Sequence, residues 1–343
     1  MLDEILESML GRIPALRIAV VGDLFLDRYL DIDARLTEPS IETGLDAYQI
    51  TRVRSYPGAA GTVINNLAAL GVGAIVPVAV IGDDGEGYEL GQALGRLGVV
   101  ETSQIIRDGS RRTPTYTKPM LEEPGKPARE LNRLDIKNRI PTAASLEHKL
   151  VEAIRKVEAD VDALLILDQV SEEDCGVVTA RIRNELSELG ARRPKLLTLA
   201  DSRERLGQFR NVGLKPNEAE ARLAWGTASA GLDLAQVLMN LARQNGRPIF
   251  CTRGDRGITL ADPVGSDVQI QEVPGYPVSG PIDVVGAGDS TTAAIACALA
   301  SGATKPQAAA FGNLIASITI QQLGTTGTAS PQQVRERWRQ VRK

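Results

Sequence analysis

The stretch Asp283-Val-Val-Gly-Ala-Gly-Asp289-Ser-Thr-Thr292 runs straight into Ala293, Ala294, Ile295, Ala296, Ala298 and Leu299. A Gly-Ala-Gly turn thus opens a helix of small residues. Backbone N–H groups at a helix start have no intrahelical partners, and the helix dipole adds partial positive charge beside them. Glycines let a charged group come close to the backbone. The turn therefore reads as an anion site suited to phosphate. Asp289 is the informative residue. A carboxylate repels phosphate unless it has a role there. Taking a proton from a hydroxyl that attacks a phosphoryl group is one such role. Capping the helix is another, and the turn alone leaves both open.

Working outward from this turn, helices alternate with short apolar runs from about residue 145. The runs are Ala163 to Leu167, Lys195 to Ala200, Asn211 to Lys215, Pro248 to Thr252 and Ile258 to Leu260. Such alternation predicts βαβ units and a mostly parallel sheet covered on both faces. Two further buried-strand runs precede them, Arg17 to Gly22 and Ala74 to Ile81. Each ends in Gly-Asp, the pattern of a strand whose C-terminal end carries a polar site. Leu2, Ile5, Leu6, Met9 and Leu10 predict an opening amphipathic helix. Pro57-Gly-Ala-Ala-Gly61 leads into a helix that stops at Gly71. Long helices are expected from Gly288 and Lys305, and a basic, solvated one in the tail from Gln332 to Lys343. Residues 31–56 and 111–135 differ, because they alternate polar and apolar positions as strands with one wet face do. They are assigned to a small separate sheet. The α/β core then comprises 1–30, 57–110 and 136–343.

Composition narrows the function. The 343 residues carry 39 Lys and Arg against 43 Asp and Glu, a net charge of −4. A mildly acidic chain is a poor nonspecific binder of nucleic acid. Its 4 Phe, 6 Tyr and 2 Trp are too few for a base-stacking platform. No apolar run approaches the ~18 residues that span a bilayer, and Asp3, Glu4 and Glu7 stand where a signal peptide would be basic and then apolar. Cys175, Cys251 and Cys297 are odd in number and lack metal-ligand spacing, so a reducing, cytoplasmic setting is expected. The single His148 sits in a helical pattern with Glu147 and Lys149 and reads as a surface residue. A Ser-His-Asp or Cys-His mechanism is therefore excluded unless His148 is the base.

Three more constellations carry chemistry. In Lys215-Pro-Asn-Glu-Ala-Glu220, Asn217 and Glu220 fall on one face of a first helical turn. They can order water around Mg²⁺ on nucleotide phosphates, or simply form a capping pair. Cys251-Thr-Arg-Gly-Asp-Arg-Gly257 is a strand end with a tight turn. Thr252 and Gly254 can approach a nucleotide there, or the segment is only a hairpin. Asp23 and Asp27, at and after the first strand's end, can accept hydrogen bonds from sugar hydroxyls, and Asp23 can instead cap a turn. Two other phosphate motifs are excluded. The chain has no Gly-x4-Gly-Lys-Ser/Thr, and Gly82-Asp-Asp-Gly-Glu-Gly87 has the wrong spacing and too many acids for a dinucleotide.

These pieces, in this order, resemble the ribokinase-like (PfkB) family of carbohydrate kinases over about residues 15 to 331. Asp283 to Asp289 is similar to that family's C-terminal signature and Pro57 to Gly61 to its N-terminal one. Pro216 to Glu220 and Thr252 to Gly254 resemble its nucleotide-side motifs. Gly22-Asp-Leu-Phe-Leu-Asp-Arg-Tyr29, Gly82 to Gly85, Arg133-Leu-Asp135 and Leu323-Gly-Thr325 resemble the kinase domain acting on D-glycero-D-manno-heptose 7-phosphate. In that domain's bifunctional form a nucleotidyltransferase domain follows. This chain ends at Lys343, and that second activity is expected to be absent.

The resemblance implies a ribokinase-like α/β fold with a β lid formed by 31–56 and 111–135, often paired with a second copy's lid in a homodimer. It implies ATP, Mg²⁺ and a monovalent cation such as K⁺. Asp289 would be the general base, and the amides of Gly286, Ala287 and Gly288 the anion hole. Asn217 and Glu220 would position Mg²⁺ through water. Thr252, Gly254 and Asn313 would line the nucleotide pocket. Asp283 and Val285, with Ser330, would hold the monovalent cation. Asp23, Asp27, Gly58, Thr62 and Arg133 would face the sugar. The chain departs from the pattern on the substrate side. Gly58-Ala59 stands for Gly-Gly, and Thr62 for an Asn, with Asn65 and Asn66 one turn on. Arg35-Leu-Thr-Glu-Pro39 replaces Arg-Ile-Ser-Pro-Glu, and Asp168-Gln169 replaces Asp-Tyr. The expected activity is ATP-dependent transfer to a sugar or sugar phosphate. The competing expectations are a non-catalytic sugar- or nucleotide-binding regulator of the same fold, and a ribokinase- or fructokinase-like enzyme with another acceptor.

Overall fold

Apolar runs that end in a polar residue become the parallel strands of a nine-stranded sheet in the computed structural model, which describes residues 2–324 and 326–342. Thr325, the last residue of the Leu323-Gly-Thr325 likeness, lies outside the described residues, as do the chain ends Met1 and Lys343. From one edge the strands are Asp267–Val273, Ile258–Val264, Ile249–Thr252, Gly213–Leu214, Leu197–Ser202, Ala163–Asp168, Arg17–Gly22, Ala74–Gly82 and Ile105–Asp108. The two ladders at the first edge are antiparallel and all others parallel. Every residue of Ala163–Asp168 is buried, which requires layers on both faces of the sheet. Helix Ala287–Ala300 packs between helices Ala60–Ala69 and Lys305–Thr319. Elsewhere Ala144–Val157 packs with Ala180–Arg192, and Leu234–Asn245 covers the antiparallel edge. This is the α/β fold with a mostly parallel sheet that the sequence predicts.

Boundaries moved in places. The Lys195-to-Ala200 run becomes Leu197–Ser202, which takes Asp201 into the sheet. Strands Ile105–Asp108 and Asp267–Val273 were not expected from the sequence. The first has four residues, too few for a period, and the second is an exposed alternating edge strand. The opening helix is Asp3–Arg12; it buries Leu6, Met9 and Leu10, while Leu2 stays outside. The basic tail is not a freely solvated helix. Pro331–Val341 buries Val334 and Trp338. It clasps the first helix through Trp338 Nε1, which donates to Asp3 at 2.7 Å, and through Arg335 with Glu7.

The second sheet has strand order Leu134–Ile136, Thr115–Glu122, Leu24–Asp33, Ile50–Ala59, with Arg129–Glu130 beside Thr115–Glu122. It therefore starts at Leu24 rather than 31 and ends its first excursion at Ala59 rather than 56. The reason is packing. Leu24 and Leu26 at the root of this sheet are fully buried against the main core and carry a core-like signature. A two-stranded ribbon, Glu38–Pro39 with Asp46–Ala47, extends from its tip.

Candidate active site

Parallel strands bring their C-terminal ends to one edge, where open α/β sheets bind ligands. Five of these strands end at Gly22, Asp168, Ser202, Leu214 and Thr252. Next to these ends, Asp201, Arg203, Lys215, Asn217, Glu220 and Thr252 line one cleft together with Gly286, Gly288 and Asp289 from the glycine turn. The turn is built as the sequence implies. Gly286 takes φ +79°, which glycine adopts without strain, and starts helix Ala287–Ala300. The amide of Ala287 donates to the Val284 carbonyl at 3.2 Å. Of the three amides expected to form the anion hole, that of Ala287 is thus engaged within the turn. Those of Gly286 and Gly288 have no backbone partner among the described residues.

Asp289 does not cap the helix, which has no side-chain cap at all. Its half-buried carboxyl is pushed up to about 7. Burial is the main cause, and the nearby charge of Asp201 adds to it. Lys215 and Arg203 oppose it, and the Asp27 charge raises it slightly. A carboxyl poised near neutrality suits a proton acceptor working at physiological pH. Lys215 is buried with its Nζ 3.0 Å from Asp201. Burial alone would lower its pKa, but the charges of Asp201, Glu220 and Asp289 outweigh that and keep it cationic. A methyl group on Gly288 would sit 3.6 Å from the same Nζ, so the ammonium lies against the glycine turn. The sequence reading missed Asp201, Arg203 and Lys215. The rule that singled out Asp23, an acid at a strand's C-terminal end, applies equally to Asp201.

Asn217 and Glu220 form a capping box. The Asn217 side chain accepts from the Glu220 amide at 2.9 Å, and the Glu220 carboxylate accepts from the Asn217 amide at 2.8 Å. The capping alternative is therefore realised. It also fixes both side chains on the cleft wall, with one Glu220 oxygen and the Asn217 amide nitrogen outside the box. Burial raises the Glu220 carboxyl, against the pull of the Asn217 amide. Among the described residues no three His, Cys, Asp or Glu side chains group as a metal cage.

A second cavity, of about 450 Å³, joins this cleft at Thr252 and Gly288. Gly254, Tyr276, Ala287 and Asn313 line it, so the structure brings together the residues expected around a nucleotide. Asn313 is buried and its amide donates to the Val273 and Pro274 carbonyls at 3.0 and 3.1 Å. It shapes the wall through backbone rather than by offering that amide to a ligand.

On the other side of Asp289, the second sheet contributes Asp27. Its carboxylate is 3.6 Å from Lys118, and a Cβ on Gly58 would come within 2.8 Å of it. Gly58 is thus the residue that leaves room for Asp27. Burial raises the Asp27 carboxyl, and Lys118 and Arg133 pull it back. Arg133 lies 4.0 Å over the Tyr116 ring and pairs with Asp135. Asp23 realises its alternative role. Its buried carboxylate accepts from the amides of Val177 at 2.6 Å and Gln169 at 3.2 Å, and so braces the loop after Ala163–Asp168. The same residue lines a narrow pocket beside the cleft. Thr62 is buried inside helix Ala60–Ala69, and the amides of Asn65 and Asn66 are used on the carbonyls of Pro57 and Thr62. Ala59 takes φ +53°, where the family pattern has glycine.

The Asp283 carboxylate accepts from the amides of Val285 at 3.0 Å and Gly324 at 3.2 Å. The Ser330 hydroxyl belongs to the capping box of helix Pro331–Val341. These side chains hold loop and helix ends. His148 is exposed, as read from the sequence, and its Nε2 lies 3.3 Å from Glu152. No described helix is long and apolar enough to cross a membrane.

The chain is 30% identical over 334 residues to the "Bifunctional protein HldE" of Trichlorobacter lovleyi, covering 96% of this chain and 64% of that one. The protein of the same name from Pelobacter propionicus is 30% identical over 336 residues, with the same coverage. The chain therefore spans about 64% of the length of these relatives. Among solved structures, Arabidopsis thaliana ribokinase complexed with ribose and ATP superposes with a TM-score of 0.65 at 17% identity, covering 94% of this chain and 98% of that one. Phosphofructokinase-2 from Escherichia coli, in complex with substrates and products, gives 0.66 at 17% identity, covering 96% and 100%. The two share the ribokinase-like fold with this chain. The model of the pfkB family carbohydrate kinases matches residues 16–333, and the chain belongs to that family.

Proposed function

We propose that this chain transfers the γ-phosphoryl group of ATP to a hydroxyl of a sugar or sugar phosphate, with a heptose 7-phosphate-like acceptor favoured. One observation carries the reading. Asp289 stands uncapped beside a glycine turn with free amides, its carboxyl raised toward neutrality. The acceptor hydroxyl attacks the γ-phosphorus, the acceptor O–P bond forms, and the bond to the β-phosphate oxygen breaks. Asp289 takes the hydroxyl proton and ADP departs. The amides of Gly286 and Gly288 and the Lys215 ammonium meet the charge on the moving group. When bound with the nucleotide, Mg²⁺ would neutralise phosphate charge. Glu220 and Asn217 would hold it through water, which suits a wall with few free carboxylate oxygens.

The apolar cavity around Tyr276 and Asn313 takes the nucleotide. Asp27, Gly58 and Arg133, with Thr62 behind them, shape the acceptor side. The heptose preference is supported by the sequence likenesses in 22–29 and 133–135 and by the HldE relatives. The second sheet would act as a lid that excludes water, which otherwise competes for the phosphoryl group. Its edge strand Ile50–Ala59 exposes Ile50 and Val53, which supports pairing with a second copy. Asp283, Val285 and Ser330 would hold a monovalent cation such as K⁺, and no step is routed through it. The test is ADP release from Mg-ATP with a panel of sugars and sugar phosphates, with and without K⁺. Acceptor-dependent release is expected. Measurable nucleotide binding with no release on any acceptor would favour a regulatory protein of the same fold.

A further inference from the structure

A narrow pocket opens beside the catalytic cleft and shares Gln169 and Arg203 with it. Three cations line this pocket: Arg111, Lys137 and Arg203. They come from three separate parts of the fold. Arg111 lies where the chain crosses from the core into strand Thr115–Glu122 of the second sheet. Lys137 lies where the chain leaves that sheet after Leu134–Ile136. Arg203 follows the core strand Leu197–Ser202. The pocket therefore sits at both crossings between sheet and core and adjoins the cleft that Asp289 lines.

The charges around it are unbalanced. Arg203 makes no ion pair or side-chain hydrogen bond with any described residue. Arg111 has no acidic partner among the described residues. Its guanidinium donates to the Ile140 carbonyl at 2.9 Å and to the Cys175 carbonyl, and burial pulls its pKa down. Lys137 is partly balanced by Glu172 at 3.5 Å. The other acid on the wall, Asp23, already accepts from the Val177 and Gln169 amides. Guanidinium and ammonium groups converging on a confined space, with donors left over, match a tetrahedral oxyanion.

We propose that this pocket binds a phosphate group that the acceptor already carries, so that Arg111, Lys137 and Arg203 select phosphorylated over unphosphorylated sugars. The inference deepens the kinase reading and rests on it for the identity of the acceptor. Binding there also ties both crossings of the second sheet to the core, and so links recognition of the distal phosphate to closure.

The test begins with inorganic phosphate titrated calorimetrically into the full chain saturated with Mg²⁺ and a non-hydrolysable ATP analogue, which fills the nucleotide side. One site is expected, weakened about tenfold or more in Arg203→Met and in Lys137→Met, as loss of a charge-assisted contact implies. Lys305→Met, remote from the pocket, should leave it unchanged. Arg111→Met also removes two backbone contacts, so it serves only with a folding control. In a second arm Lys137→Met, which lies outside the catalytic cleft, is assayed for turnover. The KM for a phosphorylated sugar should rise while that for its unphosphorylated parent stays constant. Absence of phosphate binding, or equal binding in all variants, overturns the proposal. Weakened phosphate binding with unchanged KM for the phosphorylated sugar also overturns it and assigns the pocket to free phosphate. Loss of the kinase reading looks different. No acceptor would then give ADP release, while the calorimetric result still decides whether the pocket takes phosphate.

Discussion

Replacing Asp289 by Asn removes a charge that the fold holds at a cost. The carboxyl is raised from 3.8 to about 7, mainly by burial and then by Asp201. The folded chain therefore binds a proton more tightly than the unfolded one. Its stability falls as pH rises above the unfolded value, and the penalty is complete above about 7. Three units at about 1.36 kcal/mol each set a ceiling of ~4 kcal/mol. The side chain is only half-buried, and water and Lys215 share its charge, so a gain of about 1–2 kcal/mol at pH 8 is expected. Urea unfolding of both proteins without ligand at pH 4, 6 and 8 measures this directly. The Asn variant should match the parent near pH 4 and exceed it progressively to pH 8. Turnover should fall by about 10²–10⁴-fold in the same variant. A variant less stable than the parent at pH 8, or a gap that does not change with pH, would refute the electrostatic reasoning.

Three other substitutions test neighbouring parts of the site. Lys215→Met leaves Asp201 buried without its cation and should cost about 3–5 kcal/mol, with partial recovery when Asp201→Asn is added. Where the single variant folds, the rising limb of kcat/KM should move to higher pH, since Lys215 lowers the Asp289 carboxyl. Gly58→Ala puts a methyl group 2.8 Å from the Asp27 carboxylate and should displace it. The acceptor KM should rise about tenfold, as loss of one charge-assisted contact implies, with ATP affinity unchanged. Ala59→Gly relieves a backbone held at φ +53° and should stabilise the chain by about 1 kcal/mol in denaturant unfolding.

Much of this architecture could be read in the chain itself, because its parallel strands are apolar runs bounded by glycines and acids. Arg17–Gly22 and Ala163–Asp168 emerged almost residue for residue. The glycine turn was legible as a helix start, while the turn alone left the role of Asp289 open between proton acceptor and cap. Reading failed where burial contradicts local pattern. Leu24 and Leu26 look like core but belong to the root of the second sheet. Asp23 and Asp27 look alike in sequence. Only the fold shows that one accepts loop amides while the other stands beside Lys118. Lys215 and Asp201 are 14 positions apart and meet only because their strands are neighbours in the sheet.

The most direct measurement compares parent and Asp289→Asn chains on the best acceptor of the panel, with Mg-ATP affinity determined on the same preparations. The account predicts that nucleotide binds both alike while acceptor-dependent ADP release drops at least a hundredfold in the variant, in line with loss of a general base. Release at the parental rate from the Asn chain would contradict it.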